Sequence, residues 1–390
     1  MPALSDCEIV KPNEIPPKMG EDEILNLIAR EISEFCREKS NVLFIVNDDQ
    51  RATPTSRVLK KLNPRILKNS KFLVATGAHK APSENGMRYI FGELYDVLRN
   101  RIIVHDAHRA NIYIGTTKFK NDVYINEVFH KNRYIVIITS VEPHYFAGYT
   151  GGRKSILPGI TSYGTIERNH KLALDQHAQP LALDGNPVHE DMMDSLRFVS
   201  DKDILCINCV LDRNRKLFSA YVGDIRNSFF RAVEDSEKIY AIRVKEKADI
   251  VITEAQPPLD INLYQAHKAI EHGKLALKEG GVLILVAKCE KGIGPENFYN
   301  LLKDRDPEDV IREAYTNYKL GYHKAARLAQ LLMRAEIYAV TNLSDEVLKR
   351  INIKPYHTLH DAYRDARKKM GRDARAIYLV DGATTIPITG

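Results

Sequence analysis

Residues 134–159 read YIVIITSVEPHYFAGYTGGRKSILPG, a short apolar run followed by a glycine-rich loop. The run is apolar at consecutive positions, which is typical of a strand buried on both faces of a parallel sheet. Amphipathic stretches such as 21–39, with apolar residues near a 3.6-residue period, separate it from similar runs. Those runs are VLFIV (42–46), FLVAT (72–76), RIIV (101–104), DIVIT (249–253), GVLILVA (281–287) and IYAV (337–340). The alternation predicts an α/β fold in which helices cover mostly parallel sheets.

The length predicts more than one domain, because 390 residues exceed the usual domain size of roughly 150. After the amphipathic stretch near 225–247, DIVITEAQPPLD opens a new strand and loop, as a second α/β unit would. We therefore predict an N-terminal α/β domain over 1–245 and a C-terminal α/β domain over 246–372. The closing segment 373–390, which contains AIYLVDGATTIPI, is predicted to return to the first domain.

Composition excludes several classes of protein. The 57 basic and 51 acidic side chains leave a charge of +6, too dilute for a nucleic-acid surface, although its sign favours small anionic ligands. No stretch approaches the roughly 18 apolar residues of a membrane span, and the first 20 residues lack the apolar core of a signal peptide. We expect a cytoplasmic protein with no membrane partner. Cys206 and Cys209 form a CxxC inside ILCINCVL, which is interpreted as a buried strand, with metal or redox use as the alternative.

Loops that follow the predicted strands carry the candidate functional residues, because ligands of open parallel sheets bind beyond the carboxyl ends of strands. After VLFIV, the loop NDDQRATPTSR places Asp48 and Arg51 where a guanidinium could bind a carboxylate or phosphate. The alternative is an Asx-type turn with a surface arginine. After FLVAT, the turn at Gly77 exposes His79, for which a solvated loop histidine is the alternative.

The loop after YIVIIT has the highest density of such residues. Its Walker A pattern fails, because Arg153 stands where the second glycine must be, so an NTPase is disfavoured. His144 precedes the loop and His170 follows it, which brings two imidazoles, an amine and an anion clamp into one short segment. The loop positions themselves are Gly148, Gly151, Gly152, Arg153, Lys154 and Ser155.

A second polar cluster begins the helix predicted for LYQAHKAIEHGKLAL. In one interpretation Asn262 caps the first turn and Gln265 completes a capping box. In the other, Tyr264, Gln265 and Lys268 share one face of the helix and point across an interdomain cleft toward the loops of the first domain.

Taken in order, five motifs resemble those of the nickel-dependent lactate racemase family: DDQRATP, ATGAHK, EPHYFAGYTGGRKSILPG, ERNH and LYQAHK. The resemblance spans residues 48–268, and the closing DGATTIPI is also similar. Members of that family hold a nickel ion in a pincer made from a pyridinium mononucleotide. A lysine is bound to this nucleotide through a thioamide, and a histidine supplies the protein's own metal ligand.

The resemblance implies a role for each matching residue. Lys154 would be the covalent anchor of the nickel-pincer nucleotide, His170 the nickel ligand, and His79 and His144 the acid/base pair. The remaining positions would contact the cofactor (Asp48, Arg51, Gly152, Tyr264) or the substrate (Arg51, Gln265, Lys268). The family also implies two α/β domains with the active site in the cleft between them.

The implied activity is racemisation or epimerisation of a 2-hydroxy acid by proton-coupled hydride transfer through a 2-keto acid. Each enantiomer presents its hydroxyl on a different side, so two bases are required. Histidine suits the role because its ordinary pKa, about 6.5, lets it accept and return a proton near neutral pH. The partners implied are a small 2-hydroxy acid and the proteins that make the cofactor, and a homo-oligomer is left open.

The sequence departs from the family pattern in two places, and two other functions are compatible with it. GAHK replaces the more typical GTHR, and the sequence has no tryptophan, so the family's active-site indole has no counterpart. Tyr322 and His323 are candidates to fill that place, with an ordinary helix start as the other interpretation. A metal-dependent hydrolase or lyase with several histidines around zinc, and a non-catalytic anion or nucleotide carrier, are the alternative functions.

Overall fold

The computed structural model describes residues 6–389. These residues form two compact units, which we call the N-terminal unit (14–239) and the C-terminal unit (6–13 with 240–389). Each unit contains one six-stranded sheet flanked by helices, which confirms the predicted α/β fold. None of the helices within 6–389 combines the length and apolar character needed to cross a membrane.

The elements are numbered along the chain. The strands are β1 (Glu8–Val10), β2 (Leu43–Asn47), β3 (Lys71–Ala75), β4 (Ile102–Val104), β5 (Asn111–Thr116), β6 (Asp122–Asn126), β7 (Tyr134–Ser140), β8 (Pro143–His144), β9 (Gly148–Tyr149), β10 (Asp203–Leu211), β11 (Leu217–Gly223), β12 (Ala241–Val244), β13 (Ala248–Glu254), β14 (Leu277–Val286), β15 (Glu336–Val340), β16 (Lys354–Tyr356), β17 (Ala376–Leu379) and β18 (Ile386–Thr389). The helices are α1 (Glu21–Cys36), α2 (Thr55–Lys60), α3 (Pro64–Lys68), α4 (Glu84–Phe91), α5 (Tyr95–Leu98), α6 (Glu127–Lys131), α7 (Tyr163–Lys171), α8 (Pro187–Ser195), α9 (Ile225–Tyr240), α10 (Leu263–Gly273), α11 (Glu296–Leu302), α12 (Pro307–Thr316), α13 (Tyr322–Leu332), α14 (Asp345–Lys349) and α15 (Leu359–Met370).

The sheet of the N-terminal unit has the order β11-β10-β7-β2-β3-β4, and every pair is parallel except the β10–β11 hairpin. Alternate residues of β7 enter two different cores: Val136 and Ile138 pack on one face, Ile135 and Ile137 on the other. Burial of both faces explains why the run YIVIIT is continuously apolar. The chain runs outward from β2 to β4 and returns to the opposite side of β2 as β7. The sheet therefore has its topological switch point between β2 and β7, where ligands of such sheets bind.

The sheet of the C-terminal unit is entirely parallel, in the order β1-β17-β13-β14-β15-β16. Segment 373–390 was predicted to return to the first domain, and this is wrong: β17 lies between β1 and β13, and β18 pairs with β12. The physical reason is that the apolar residues of β17 complete an edge of β13 that would otherwise leave its backbone groups unpaired. The N-terminal strand β1 joins the same sheet, an association for which the sequence pattern has no signal.

Cys206 and Cys209 are three positions apart within β10, and both are buried, one in the core on each face of the sheet. Burial raises the pKa of each thiol to about 12, so both are protonated at neutral pH. A protonated thiol is a poor nucleophile and a poor metal ligand, and these two cysteines act as small core residues.

A buried histidine in the C-terminal unit leads to a prediction about acid stability. His272 is 1% exposed, and its Nδ1–H donates to the carbonyl oxygen of Gly382 (2.9 Å). Burial lowers its pKa to about 4, below the value of about 6.5 expected in the unfolded chain. Between those values the unfolded state binds a proton that the folded state does not, so the free energy of unfolding falls with decreasing pH. We expect His272 to contribute a loss of about 3 kcal/mol between pH 6.5 and 4.

Urea denaturation at a series of pH values measures this loss. His272→Gln should show a shallower fall in stability than the wild type. The exposed His357 is the matched control, and His357→Gln should keep the wild-type slope. Equal slopes for all three proteins would contradict the assignment.

Candidate functional site

A cavity opens at the switch point of the N-terminal sheet, beyond the carboxyl ends of β2, β3 and β7. Its walls come from three loops that are separated in sequence, and they include Asp48, Arg51, His79, Lys154 and Ser155. The three loops are those that the sequence predicted to carry function. Their convergence follows from the sheet order, which places the ends of β2, β3 and β7 next to one another.

The first pair in the cavity is Asp48 and His79. Asp48 is 5% exposed, and its Oδ2 lies 2.7 Å from Nδ1 of His79. A carboxylate can only accept, so Nδ1–H of His79 donates and the ring presents Nε2 as its acceptor. The backbone N–H of Gln50 donates to the other carboxylate oxygen (3.3 Å), which fixes the orientation of Asp48. The resemblance assigned Asp48 to the cofactor; in this structure its contact is with His79.

A tight turn holds His79 against the neighbouring loop. Gly77 has φ +56°, and its N–H donates to the carbonyl oxygen of Gly159 (2.9 Å). The N–H of His79 donates back to the carbonyl oxygen of Thr76 (3.0 Å). The loop after β3 is thereby connected to the end of the glycine-rich loop.

Arg51 forms an ion pair with Glu142, in which Nη1 and Oε1 are 2.6 Å apart. Both side chains are partly exposed, so the pair is accessible from solvent. Glu142 was missed in the sequence analysis, although it lies two residues after the strand β7, where functional residues were sought. An incoming carboxylate or phosphate would compete with Glu142 for the guanidinium.

His144 and His170 both contact the same aromatic ring. The ring centroid of Phe146 is 4.5 Å from that of His144 and 5.1 Å from that of His170. His144 is 7% exposed, stacks on Tyr145, and its Nδ1 accepts a hydrogen bond from the N–H of Ala147 (3.3 Å). The aromatic packing sets the positions of two histidines that are far apart in sequence.

His170 occupies the last turn of α7, a helix whose N-terminus is capped by Ser162, which accepts from the N–H of Thr165 (3.3 Å). Burial lowers the pKa of His170 to about 3, and the nearby side chains of Lys154 and His79 act in the same direction. Lys154 and His79 therefore both lie within electrostatic reach of His170. At neutral pH the imidazole of His170 is uncharged, the state that a metal ligand requires.

Lys154 belongs to a short 3₁₀ turn, Gly152–Ser155. The glycines before it are required: Gly151 has φ +86°, and a Cβ there would lie 2.3 Å from Cγ2 of Val141. The N–H of Gly152 donates to Oδ1 of Asn208 (2.8 Å). Gly152, which the resemblance assigned to the cofactor, packs against Phe229 and Asn208, whereas Gly151 lines the cavity.

Two neighbours of Lys154 face in different directions. Ser155 lines the cavity, and its buried Oγ has no hydrogen-bond partner among residues 6–389. Arg153 is fully buried and turns into the interior, so it cannot contribute to an anion clamp in the cavity. That part of the clamp predicted from the loop is wrong, because the Arg153 side chain is used to bind the loop itself.

Zinc held by several histidines was one alternative function. Across the described part of the chain, 6–389, no group of three or more His, Cys, Asp or Glu side chains is placed to hold a metal ion. The geometry gives that alternative no support. Instead, a single neutral imidazole, His170, lies near an amine.

In the C-terminal unit, α10 carries the second set of predicted residues. Oδ1 of Asn262 accepts from the N–H of Gln265 (2.9 Å), as the capping interpretation predicted. Gln265 and Lys268 are half-buried, and their predicted roles with substrate stay predictions. Tyr264 contacts Lys324, a buried residue that no motif singled out: its amine lies 3.8 Å from the centroid of the tyrosine ring.

Tyr322 and His323 occupy an ordinary helix start. Tyr322 is the first residue of α13, and His323 is 2% exposed with its Nδ1 2.8 Å from the hydroxyl of Tyr318. Both residues are accounted for by local packing, which favours the structural interpretation.

Comparison with known proteins gives the same family over most of the chain. Residues 1–181 match the family described as "Lactate racemase N-terminal domain", and residues 244–387 match "Lactate racemase C-terminal domain". A lactate racemase of Thermoanaerobacterium thermosaccharolyticum is 32% identical over 374 residues, which cover 92% of this chain and 87% of the relative. A lactate racemase of Lactiplantibacillus plantarum is 29% identical over 371 residues, with 91% and 87% covered.

Solved structures are similar as well. The lactate racemase apoprotein of Thermoanaerobacterium thermosaccharolyticum superposes with a TM-score of 0.89 at 30% identity, covering 98% of this chain and 94% of that one. A Thermotoga maritima protein superposes with a TM-score of 0.75 at 15% identity, covering 97% and 100%. The second likeness concerns the fold alone.

Proposed function

Because this chain belongs to the lactate racemase family, we propose that it is a racemase or epimerase that inverts the hydroxyl-bearing carbon of a 2-hydroxy acid. The observation that carries the proposal is the convergence, at one switch point, of an oriented imidazole and a lysine, with a neutral buried imidazole within electrostatic reach of both. These are His79 on Asp48, Lys154, and His170.

The family implies a nickel-pincer nucleotide, and the residues present fit it. Lys154 would be the covalent anchor, and the uncharged His170 would be the metal ligand. The Ser155 hydroxyl, buried on the cavity wall without a partner within the described residues, is available to a polar group of the nucleotide. When bound, such a cofactor would supply hydride chemistry, as an acceptor for the hydride of the substrate carbon and a donor to either face of the planar product.

The acid/base work falls to the chain's own histidines. As hydride leaves the carbon, the hydroxyl must lose its proton, and Nε2 of His79 is the acceptor that Asp48 orients. The product of this half-reaction is a planar 2-keto acid. We assign the corresponding proton transfer for the other enantiomer to His144. With two bases, either enantiomer can be the starting material.

Arg51 is proposed to bind the substrate carboxylate or the nucleotide phosphate by exchanging its partner Glu142 for the incoming anion. Tyr264, Gln265 and Lys268 of α10 are proposed to contact cofactor and substrate, as the resemblance implies. The pocket for the substrate's side chain must differ from one that uses an indole, because the sequence has no tryptophan. Substrates other than lactate therefore belong in the test.

The proposal is tested on protein made in a host that has the cofactor pathway. Enantiopure lactate, malate, an aromatic 2-hydroxy acid and a sugar acid are incubated with the enzyme, and optical rotation is followed. For at least one substrate we expect the optical rotation to decay to zero, or, where the substrate has further stereocentres, to a constant value set by the ratio of epimers. We also expect bound nickel and an added mass on the Lys154 peptide.

Protein from a host without the pathway is the control, and it should lack the added mass and the activity. Active enzyme with an unmodified Lys154 would refute the cofactor assignment. Loaded enzyme that leaves every 2-hydroxy acid in the panel unchanged would count against the proposed reaction.

A further inference from the structure

Arg153 is fully buried, and each of its five N–H groups has an acceptor. Nε–H donates to Nδ1 of His189 (3.1 Å). The four remaining N–H groups donate, at 2.9 to 3.2 Å, to the carbonyl oxygens of Ala147, Tyr149, Thr150 and Gly151. One side chain therefore binds four of five successive carbonyl groups in the loop.

None of these partners is a carboxylate. The charge of Arg153 is surrounded by carbonyl dipoles and by the face of Phe229, whose ring centroid lies 4.1 Å from the guanidinium carbon. Burial lowers the pKa of Arg153 to about 9, so it keeps its charge at neutral pH. Burial, followed by the charge of Arg153, lowers the pKa of His189 to about 3, so its Nδ1 is an acceptor.

The bound segment lies between two residues of the proposed mechanism. His144 is three residues before Ala147, and Lys154 follows Arg153 directly. The segment includes Gly151 at φ +86°, and because glycine has more backbone freedom than any other residue, holding it in one conformation takes a constraint from its surroundings. The hydrogen bonds from Arg153 supply such a constraint on the peptide groups between the histidine and the lysine.

We propose that Arg153, held in place by His189, is a positioning residue that sets the backbone between His144 and Lys154, and thereby where the imidazole and the amine stand. The effect of Arg153 on the backbone does not depend on the reaction. The effect on catalysis rests on the proposed function. Lysine cannot replace arginine here, because an ammonium has three donors and lacks the planar fork that reaches five acceptors. Glutamine can replace His189 in part, because its side-chain oxygen is an acceptor.

Hydrogen–deuterium exchange of the protein made without the cofactor pathway tests the structural part. We expect Arg153→Lys to raise exchange in peptides covering 147–155 by about tenfold or more, with peptides from α1 and β2 unchanged. His189→Leu should behave like Arg153→Lys, and His189→Gln should stay close to the wild type. The control is Arg367, a partly buried arginine of the C-terminal unit that also donates to loop carbonyls. Arg367→Lys should leave exchange at 147–155 unchanged.

Loaded protein tests the catalytic part. For Arg153→Lys we expect the share of Lys154 that carries the added mass to fall about tenfold, and kcat to fall while KM stays within about threefold of the wild-type value. His189→Gln should restore most of what His189→Leu loses. A variant with a structural role alone would lose activity only in proportion to its folded fraction, which circular dichroism measures.

Wild-type exchange at 147–155 in both Arg153→Lys and His189→Leu would overturn the proposal. So would exchange raised equally throughout the N-terminal unit, with the modified share of Lys154 unchanged in the folded protein. If Arg153→Lys does not fold, the two His189 variants decide the outcome. Should the wild type turn over no 2-hydroxy acid, the exchange data still decide the positioning role, so the two failures are distinguishable.

Discussion

Replacing either His79 or His144 with glutamine is expected to slow interconversion by about 10²- to 10⁴-fold, the usual range for loss of a general acid or base. The loss should appear from both enantiomers. In the proposed mechanism, the reaction in each direction needs one imidazole to take the hydroxyl proton and the other to return a proton to the keto oxygen. Removing one base therefore blocks the full inversion, whichever enantiomer is the starting material.

His79 and His144 are held by different contacts. Asp48 orients His79 through Nδ1, whereas His144 is held by the rings of Tyr145 and Phe146, so the two histidines have independent supports. Each single variant should therefore leave the other histidine in place and keep the added mass on Lys154. Optical rotation from each pure enantiomer measures the rates, and mass spectrometry of the Lys154 peptide confirms loading.

The exposed His177, paired with Asp175, is the matched control, and His177→Gln should keep wild-type turnover. Normal rates for both His79→Gln and His144→Gln would rule out the two-base scheme. Loss of the Lys154 mass in either variant would indicate that the histidine acts on cofactor attachment, and the rate would then carry no information on proton transfer.

The second large effect concerns Lys154, the proposed cofactor anchor, and His170, the proposed metal ligand. We expect two substitutions to distinguish these two roles. Lys154→Ala removes the amine, so the added mass, the nickel and racemisation should all be lost, with activity down at least about 10³-fold. His170→Gln keeps the amine, so the added mass should remain while nickel content falls at least about tenfold and racemisation is lost. Peptide mass, metal analysis and optical rotation report the three properties separately.

Lys171, exposed at the end of α7, provides the control, and Lys171→Arg should retain mass, nickel and activity. Nickel bound at the wild-type level by His170→Gln would show that another group is the metal ligand. Racemisation by Lys154→Ala would contradict covalent attachment as a requirement of the reaction.

Much of the N-terminal site could be predicted from sequence because its residues follow strands with strong local signals. The runs VLFIV, FLVAT and YIVIIT are each recognisable from six or fewer neighbouring residues. Once they are placed in one parallel sheet, the residues after them must lie at one edge. The sequence therefore predicts that Asp48, His79 and Lys154 share a site.

Contacts between distant side chains could not be predicted in the same way. The pairing of Asp48 with His79 and of Arg51 with Glu142 joins residues 31 and 91 positions apart. Side-chain direction was also undetermined: Arg153 looks like part of an anion clamp in sequence, yet it is buried among carbonyl groups. An arginine beside glycines has the same sequence whether its side chain points into a cavity or into the interior. Only the surrounding packing distinguishes the two orientations.

By itself, the sequence determined the α/β class, the order of the functional loops and the residue types available to them, because these depend on local periodicity and on motifs. Which strand pairs with which was decided by the tertiary structure. β1 and β17 lie side by side in the C-terminal sheet although they stand at opposite ends of the chain. A strand's own residues show that it must be buried, but its partner is chosen by which unpaired sheet edge the folded chain leaves within reach.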